Sequence, residues 1–138
     1  GVQIDLIVRG ACMLPAQKPG FSENIRVRSI IGRFLEHSRI FYFRVNEHES
    51  IYLSSADWMN RNMLRRVELA WPVEDAALRR RIVDECLVAY LMDGRDAWSL
   101  HPDGTYTAVR AAKERAGESR KNAPGAQAAL MALHASKA

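Results

Sequence analysis

The chain has 138 residues, 48% of them hydrophobic and 26% charged, which indicates one folded domain and argues against a chain that is disordered for most of its length. Its formal net charge of +4 permits an anionic partner without requiring one. Cys12 and Cys86 form neither a Cys-x-x-Cys pair nor a zinc-binding spacing, and no apolar run approaches the ~18 residues of a membrane span.

The first third of the chain predicts two strands separated by a loop. Residues 3–9 are rich in β-branched side chains and predict a buried strand. This strand begins almost at residue 1, so we expect the chain to be a fragment of a longer protein. A loop with two prolines and two glycines follows, and residues 25–30 then alternate apolar and basic side chains, as a strand with one polar face does.

The middle of the chain predicts a hairpin and one further strand. Residues 38–45 are mostly apolar and predict a strong strand, residues 46–50 predict a turn, and residues 51–57 predict the strand that pairs with the first. Residues 66–73 predict another strand, which is closed by Pro72.

The last part of the chain predicts a long helix, a turn and a short helix. Residues 74–93 place apolar side chains every four residues, which predicts an amphipathic helix that ends at Gly94. Pro-Asp-Gly within residues 98–109 predicts a turn or hairpin. Residues 111–138 predict a polar linker and a short alanine-rich helix. Together these elements predict an α/β or α+β fold for residues 1–110.

Several common catalytic motifs are absent. The chain has no glycine-rich phosphate loop of either the P-loop or the dinucleotide-binding kind. His48 and Glu49 begin like a zinc-binding helix motif, but Tyr52 stands where the second histidine should be.

Basic side chains near predicted strand ends point to an anion. Arg9 ends the first predicted strand, and guanidinium groups bind phosphate oxygens in a bidentate manner. His37 and Arg39 are two residues apart, so they lie on one side of an extended segment, where arginine can hold an anion beside a proton-exchanging histidine. The alternatives are a strand-exit salt bridge for Arg9 and a hydrogen-bonded structural role for His37.

Polar side chains on the paired predicted strand can orient His37. Ser54, Ser55, Asp57 and Asn60 follow one another there, and hydroxyl, carboxylate and amide groups commonly orient a functional histidine. The alternative is ordinary turn chemistry, because serine, aspartate and asparagine favour turns and caps.

The order of these residues resembles two related patterns. His37-Ser38-Arg39, followed by Ser54-Ser55-Ala56-Asp57, resembles the phospholipase D superfamily, with arginine in place of the family's lysine and aspartate in place of its asparagine. The stretches IVRGACML, GFSENIRVRSIIGRFLEHSRI and YLSSADWMNRNMLRRVEL look like the C-terminal domain of bacterial polyphosphate kinase over residues 1–110. This resemblance implies a phospholipase D-like domain with a mixed central sheet flanked by helices, truncated at its N-terminus.

The resemblance also implies an activity, partners and site residues. Members transfer the terminal phosphate of ATP reversibly to polyphosphate, with magnesium, through a phosphohistidine in a domain outside this chain. The metal ligands are then expected outside the chain too, and the isolated fragment is expected to be inactive. Arg9 and His37 match the family's ATP-contacting arginine and histidine, with His37 in a catalytic supporting role. Ser55 and Asp57 would orient His37. Further candidates for phosphate binding are Arg33, Arg39 and Arg61.

The resemblance further implies the cellular setting. Family members are cytoplasmic dimers or tetramers that often associate with the inner membrane. The expected partners are ATP, polyphosphate and the remaining domains of the same polypeptide, without a nucleic acid. Two alternatives stay open: a phospholipase D-like phosphodiesterase or nuclease with His37 as the nucleophile, and a non-catalytic module that binds a polyanion such as RNA.

Overall fold

The computed structural model describes residues 1–10, 12–110 and 123–136, which form an α+β structure. The strands in these residues are β1 (Ile4–Ile7), β2 (Ile25–Ile30), β3 (Ile40–Val45), β4 (His48–Ser54), β5 (Ala70–Pro72), β6 (Ala97–Leu100) and β7 (Tyr106–Ala108). The helices that lie wholly within them are α1 (Asn60–Arg65), α2 (Ala76–Ile82), a π-helix (Val83–Val88), α3 (Ala89–Leu91) and α4 (Ala126–Ala135).

The chain divides into two compact units. The first unit comprises Gly1–Glu36 and Glu85–Ala138, and the second unit comprises His37–Asp84. The predicted C-terminal helix is present as α4, whereas most of the predicted linker, residues 111–122, lies outside the described residues.

The first unit contains a mixed four-stranded sheet in the order β1-β2-β6-β7. Strands β1 and β2 are parallel, and the other neighbours are antiparallel. The predicted hairpin is β6 and β7, with Gly104 at φ 83° in its turn, where a left-handed backbone favours glycine. The predicted strand 25–30 coincides with β2.

A small apolar core fills one side of this sheet. Ala16, Val27 and Leu100 are at most 4% exposed, and they form its centre. The half-buried side chains packed against them are Leu6, Val8, Cys12, Leu14, Ile25 and Tyr106. Full burial of one aliphatic side chain contributes about 1.5–3 kcal/mol to stability. This core therefore holds the end of β1, and with it the backbone that leads to Arg9.

The predicted helix over residues 74–93 is present, but it is not a regular α-helix. Asp75 caps it by accepting a hydrogen bond of 2.8 Å from the Leu78 amide, so the helix begins after residue 75. Six of its residues, Val83–Val88, form a π-helix, whose wider turns shift the four-residue apolar repeat on which the prediction rested. Arg28 donates to the last carbonyls of the segment, on Tyr90 and Leu91.

The second unit contains a three-stranded antiparallel sheet in the order β3-β4-β5. The resemblance did not predict this separate sheet. The connection between β3 and β4 is shorter than predicted, because His48–Ser50 belong to β4 rather than to a turn. Asn46, at φ 54°, makes the tight reversal possible, since asparagine tolerates a left-handed backbone.

Further predicted strand boundaries in the second unit are wrong, and the first predicted strand there begins at Ile40 rather than at residue 38. Strand β4 ends at Ser54 rather than at residue 57, because the Ser54 side chain binds the next turn and accepts from the Ala56 amide. The predicted strand 66–73 is reduced to Ala70–Pro72. Glu68 explains part of this difference, since its carboxylate turns toward Ser55 and Asn62.

The second unit exposes many large apolar side chains. Those more than half exposed are Phe43, Val45, Trp58, Met63, Leu64, Val67 and Leu69. Ile51, at 2% exposed, is by contrast fully buried in its sheet. None of the described helices is long and apolar enough to cross a membrane.

Candidate functional site

Arg9 lies just beyond the carboxyl end of β1, as predicted, and is exposed. Its Nη1 donates a hydrogen bond of 2.6 Å to the backbone carbonyl of Glu36. Gly10 follows at φ 87°, a left-handed conformation that turns the chain away immediately after the arginine. Within the described residues, no carboxylate lies at ion-pair distance from Arg9. Its guanidinium is therefore anchored at one nitrogen and uncompensated in charge, an arrangement suited to binding an anion.

The backbone that anchors Arg9 is itself held by side chains that were not predicted as site residues. Glu36 accepts hydrogen bonds on its carboxylate from the Tyr90 hydroxyl and from the Gln127 side-chain amide. Gln127 also bonds both backbone groups of Phe34. The buried residues of α4 are Ala126 and Gln127, whereas Leu130 is half-buried and Leu133 is exposed.

His37 and Arg39 belong to the second unit and contact each other directly. They lie in the extended segment just before β3, and Nη2 of Arg39 is 2.6 Å from Nε2 of His37. Because guanidinium only donates, Nε2 must accept, which assigns the ring proton to Nδ1 by inference from the hydrogen bond. The His37 ring is exposed, so Nδ1–H is the nitrogen left to donate to an incoming phosphate oxygen.

Asp57 forms an ion pair with Arg39, the residue that contacts His37. Arg39 Nε donates a hydrogen bond of 2.8 Å to the Asp57 carboxylate, and only 19% and 24% of the two side chains are exposed. This hydrogen bond raises the pKa of the Arg39 guanidinium. The charge of Arg39 is thus balanced by Asp57, whereas Arg9 has no such carboxylate in the described parts of the chain. The three residues form a chain of contacts from carboxylate to guanidinium to imidazole.

Ser55 forms hydrogen bonds with Glu68 and Leu69, whereas it was predicted to orient His37. Its hydroxyl donates to Glu68 at 2.5 Å and accepts from the Leu69 amide at 3.0 Å. Hydrogen bonds from Ser55 and then from Asn62 lower the pKa of the Glu68 carboxyl. In the described structure Ser55 and His37 share no hydrogen bond. Ser55 therefore fastens the segment that leads into β5.

The other basic candidates differ in how well their charge is compensated. Arg33 lies over the Phe34 ring at 5.5 Å, and Arg61 is exposed in α1; neither has a carboxylate at ion-pair distance in the part of the chain described. Arg26 differs, because it makes a two-point contact with Asp5 at 2.7 Å. Arg28 differs too, because it caps helix carbonyls and burial lowers its pKa. Arg33 and Arg61 remain available to an anion.

In the described part of the chain, neither a metal cluster nor the cleft beside Tyr52 adds further candidates. Among the residues that the structure describes, no three His, Cys, Asp or Glu side chains are grouped to hold a metal ion. One shallow cleft of about 220 Å³ lies in the second unit beside Tyr52, Val73 and Arg79. None of the predicted site residues lines it.

Comparisons with known proteins agree on one family. Residues 1–120 match the profile of the family described as polyphosphate kinase C-terminal domain 2. Polyphosphate kinases from Burkholderia lata and Paraburkholderia phytofirmans are each 54% identical over 123 residues, which is 89% of this chain and 17% of theirs. The crystal structure of polyphosphate kinase from Porphyromonas gingivalis matches 99% of this chain and 20% of its own, with TM-score 0.83 and 39% identity. The predicted family and the predicted phospholipase D-like α+β fold class are confirmed.

Proposed function

Since this chain belongs to the polyphosphate kinase C-terminal domain 2 family, we propose that it works within a kinase that transfers the terminal phosphate of ATP reversibly to polyphosphate. The chain spans 17% of the length of its curated relatives, so the reaction belongs to the longer polypeptide. The phosphohistidine intermediate forms in a domain outside this chain. The chain itself supplies groups that bind and orient phosphates.

The proposal rests mainly on one observation: Arg9 is fixed by a hydrogen bond to the Glu36 carbonyl, and no carboxylate in the described residues balances its charge. Phosphoryl transfer depends on positioning and on neutralising phosphate charge more than on covalent chemistry from the protein. Arg9 offers a permanent positive charge, an anchor at Nη1 and no competing carboxylate in the described residues. Its remaining N–H groups can bind non-bridging oxygens of ATP in a bidentate manner.

His37 acts as a hydrogen-bond donor in this proposal and not as the nucleophile. A nucleophilic imidazole needs a free nitrogen lone pair directed at phosphorus. The Nε2 lone pair of His37 is engaged by Arg39, and Nδ1 carries the proton. This geometry favours kinase support over the phosphodiesterase alternative. Nδ1–H would donate to an oxygen of the transferring phosphate, and Arg39 and Asp57 would hold the ring in place.

The remaining partners follow from the same proposal. Arg33 and Arg61 are further phosphate-binding groups in this proposal, each within its own unit, and ATP brings magnesium with its phosphates. Magnesium supplies further charge neutralisation when bound, and the proposed roles of Arg9, His37 and their neighbours do not depend on it. The longer polypeptide assembles as a cytoplasmic dimer or tetramer that associates with the inner membrane.

Calorimetric titration of the 138-residue chain with ATP and with sodium tripolyphosphate tests the proposal. Arg9→Ala and His37→Ala should each weaken binding about tenfold, equivalent to about 1.4 kcal/mol. Arg26→Ala is the matched control, because it removes the same charge from a side chain already paired with Asp5. Equal effects of all three variants, with a steep salt dependence, would instead support a non-catalytic polyanion-binding module.

A further inference from the structure

The reciprocal contact between Gln127 and the backbone of Phe34 ties helix α4 to the segment before His37. The Phe34 amide donates to Gln127 Oε1, and Gln127 Nε2 donates to the Phe34 carbonyl, both at 2.8 Å. Gln127 is only 5% exposed. The Gln127 amide thus makes a pair of backbone contacts like those of a neighbouring strand, which this segment lacks among the described residues. These hydrogen bonds are shielded from competing water.

The same amide also reaches the Glu36 side chain. Gln127 Nε2 is 2.6 Å from Glu36 Oε1, and the Tyr90 hydroxyl donates to that oxygen at 2.7 Å. Burial, and then the hydrogen bond to Glu36, raises the pKa of Tyr90, so the hydroxyl keeps its proton and remains a donor. Glu36 is therefore fixed by side chains from two helices of the first unit.

We propose that Gln127 and Tyr90 are positioning residues for Arg9, acting through the Glu36 carbonyl that accepts from Arg9 Nη1 at 2.6 Å. This inference rests on the proposed phosphate-binding role of Arg9. A free arginine side chain samples many rotamers, and binding an anion must offset the entropy lost when one is selected. An acceptor held at a fixed place reduces that cost before the phosphate arrives.

The start of helix α4 is built to keep Gln127 in place. Asp93, 4% exposed, accepts at 2.7 Å from the amide of Ala126, the residue before Gln127. Gly32 leaves room for the glutamine, since a Cβ there would overlap Oε1 and lie 2.7 Å from Cδ of Gln127. The glycine of the GRFLEH stretch is thus explained by the side chain that fastens this stretch.

A double-mutant cycle on tripolyphosphate affinity tests the inference. In the 138-residue chain, Gln127→Ala should weaken binding about five- to tenfold and Tyr90→Phe somewhat less. The decisive measurement is Gln127→Ala in an Arg9→Ala background, where no further loss is expected, because the positioned group is gone. Leu133→Ala, on the exposed face of the same helix, is the control, and thermal unfolding of each variant reports its stability.

The outcomes separate the inference from the proposed function. If wild type binds tripolyphosphate and Arg9→Ala weakens binding while Gln127→Ala does not, the positioning role is overturned and the proposed function stands. Equal losses from Gln127→Ala with and without Arg9 would also overturn it, because the effect would then be structural. If Arg9→Ala has no effect on wild-type affinity, the proposed function fails and the inference fails with it.

Discussion

Nη2 of Arg39 lies 2.6 Å from Nε2 of His37, and Nε of the same guanidinium lies 2.8 Å from the Asp57 carboxylate. One planar group therefore joins an acid to a histidine. Lysine carries the same charge but presents a single nitrogen, so it cannot make both contacts in this geometry. Arginine in place of the lysine of the phospholipase D pattern thus allows both contacts to form at once.

Replacing Arg39 by lysine should lower turnover more than substrate binding. We expect kcat to fall about tenfold with little change in KM for ATP, because the His37 ring loses its fixed orientation. The assay is polyphosphate synthesis by a chimeric kinase, in which this chain replaces the matching 123 residues of the Burkholderia lata enzyme. Arg44→Lys, an exposed change in β3, is the control; a similar kcat in both variants would contradict the proposed role of Arg39.

Replacing Gly32 by alanine should destabilise the first unit. The new Cβ would overlap the buried Gln127 amide, and moving that amide would break its hydrogen bonds to Phe34, which contribute about 0.5–1.5 kcal/mol each. Urea unfolding measures the change. Gln127→Ala removes the clash, so adding Gly32→Ala to that variant should cost much less. An equal cost in both backgrounds would show that the glycine is needed for another reason.

Glu68 should contribute stability that depends on pH. Its folded pKa is lowered, first by the Ser55 hydrogen bond, so its contribution is present above the ordinary value of 4.5 and is lost as pH falls through the folded pKa. Ser55→Ala should lower Tm near pH 7, and the difference from wild type should shrink below about pH 4.5. Ser50→Ala, on exposed β4, is the control, and a difference that stays constant with pH would contradict this assignment.

The isolated chain should bind phosphates but not synthesise polyphosphate. The proposed phosphohistidine lies elsewhere in the longer polypeptide, so this chain alone has no acceptor for the transferred phosphate. Incubation with radiolabelled ATP and magnesium, followed by separation of polyphosphate, measures this directly. Robust synthesis by the 138-residue chain, with the chimeric kinase as positive control, would show that the acceptor lies within it.

Local sequence patterns predicted the positions of strand β2 and of the helix after Asp75. Both ends of strand β2 were predicted correctly, because alternating apolar and basic side chains are typical of a strand with one buried face. The helix after Asp75 was predicted, but its π-helical part was not, because nothing in the four-residue spacing records a widened turn. The observed strand β5 is shorter than the predicted strand 66–73, because Glu68 forms side-chain hydrogen bonds with Ser55 and Asn62 in place of sheet pairing.

In the candidate site, too, some residues could be predicted from the sequence, whereas contacts between distant residues could not. Arg9, His37, Arg39 and Asp57 could be proposed from strand ends, spacing and family resemblance. The contact of Gln127 with Glu36 joins residues 91 positions apart, and an isolated glutamine in an alanine-rich helix gives no local signal of a buried partner. The burial of Gln127 and the space left by Gly32 became apparent only in the folded structure.

Turnover of the chimeric kinase is the sharpest test of whether this chain supplies phosphate-binding groups for phosphoryl transfer. We would measure ATP-dependent polyphosphate synthesis and phosphohistidine formation with Arg9→Ala and His37→Ala, each checked for folding, and with Arg26→Ala as the control. We expect synthesis to fall by orders of magnitude in the first two variants and to be unchanged in the third. Undiminished synthesis in folded Arg9→Ala and His37→Ala enzymes would refute the proposed function, and the two residues would then be structural.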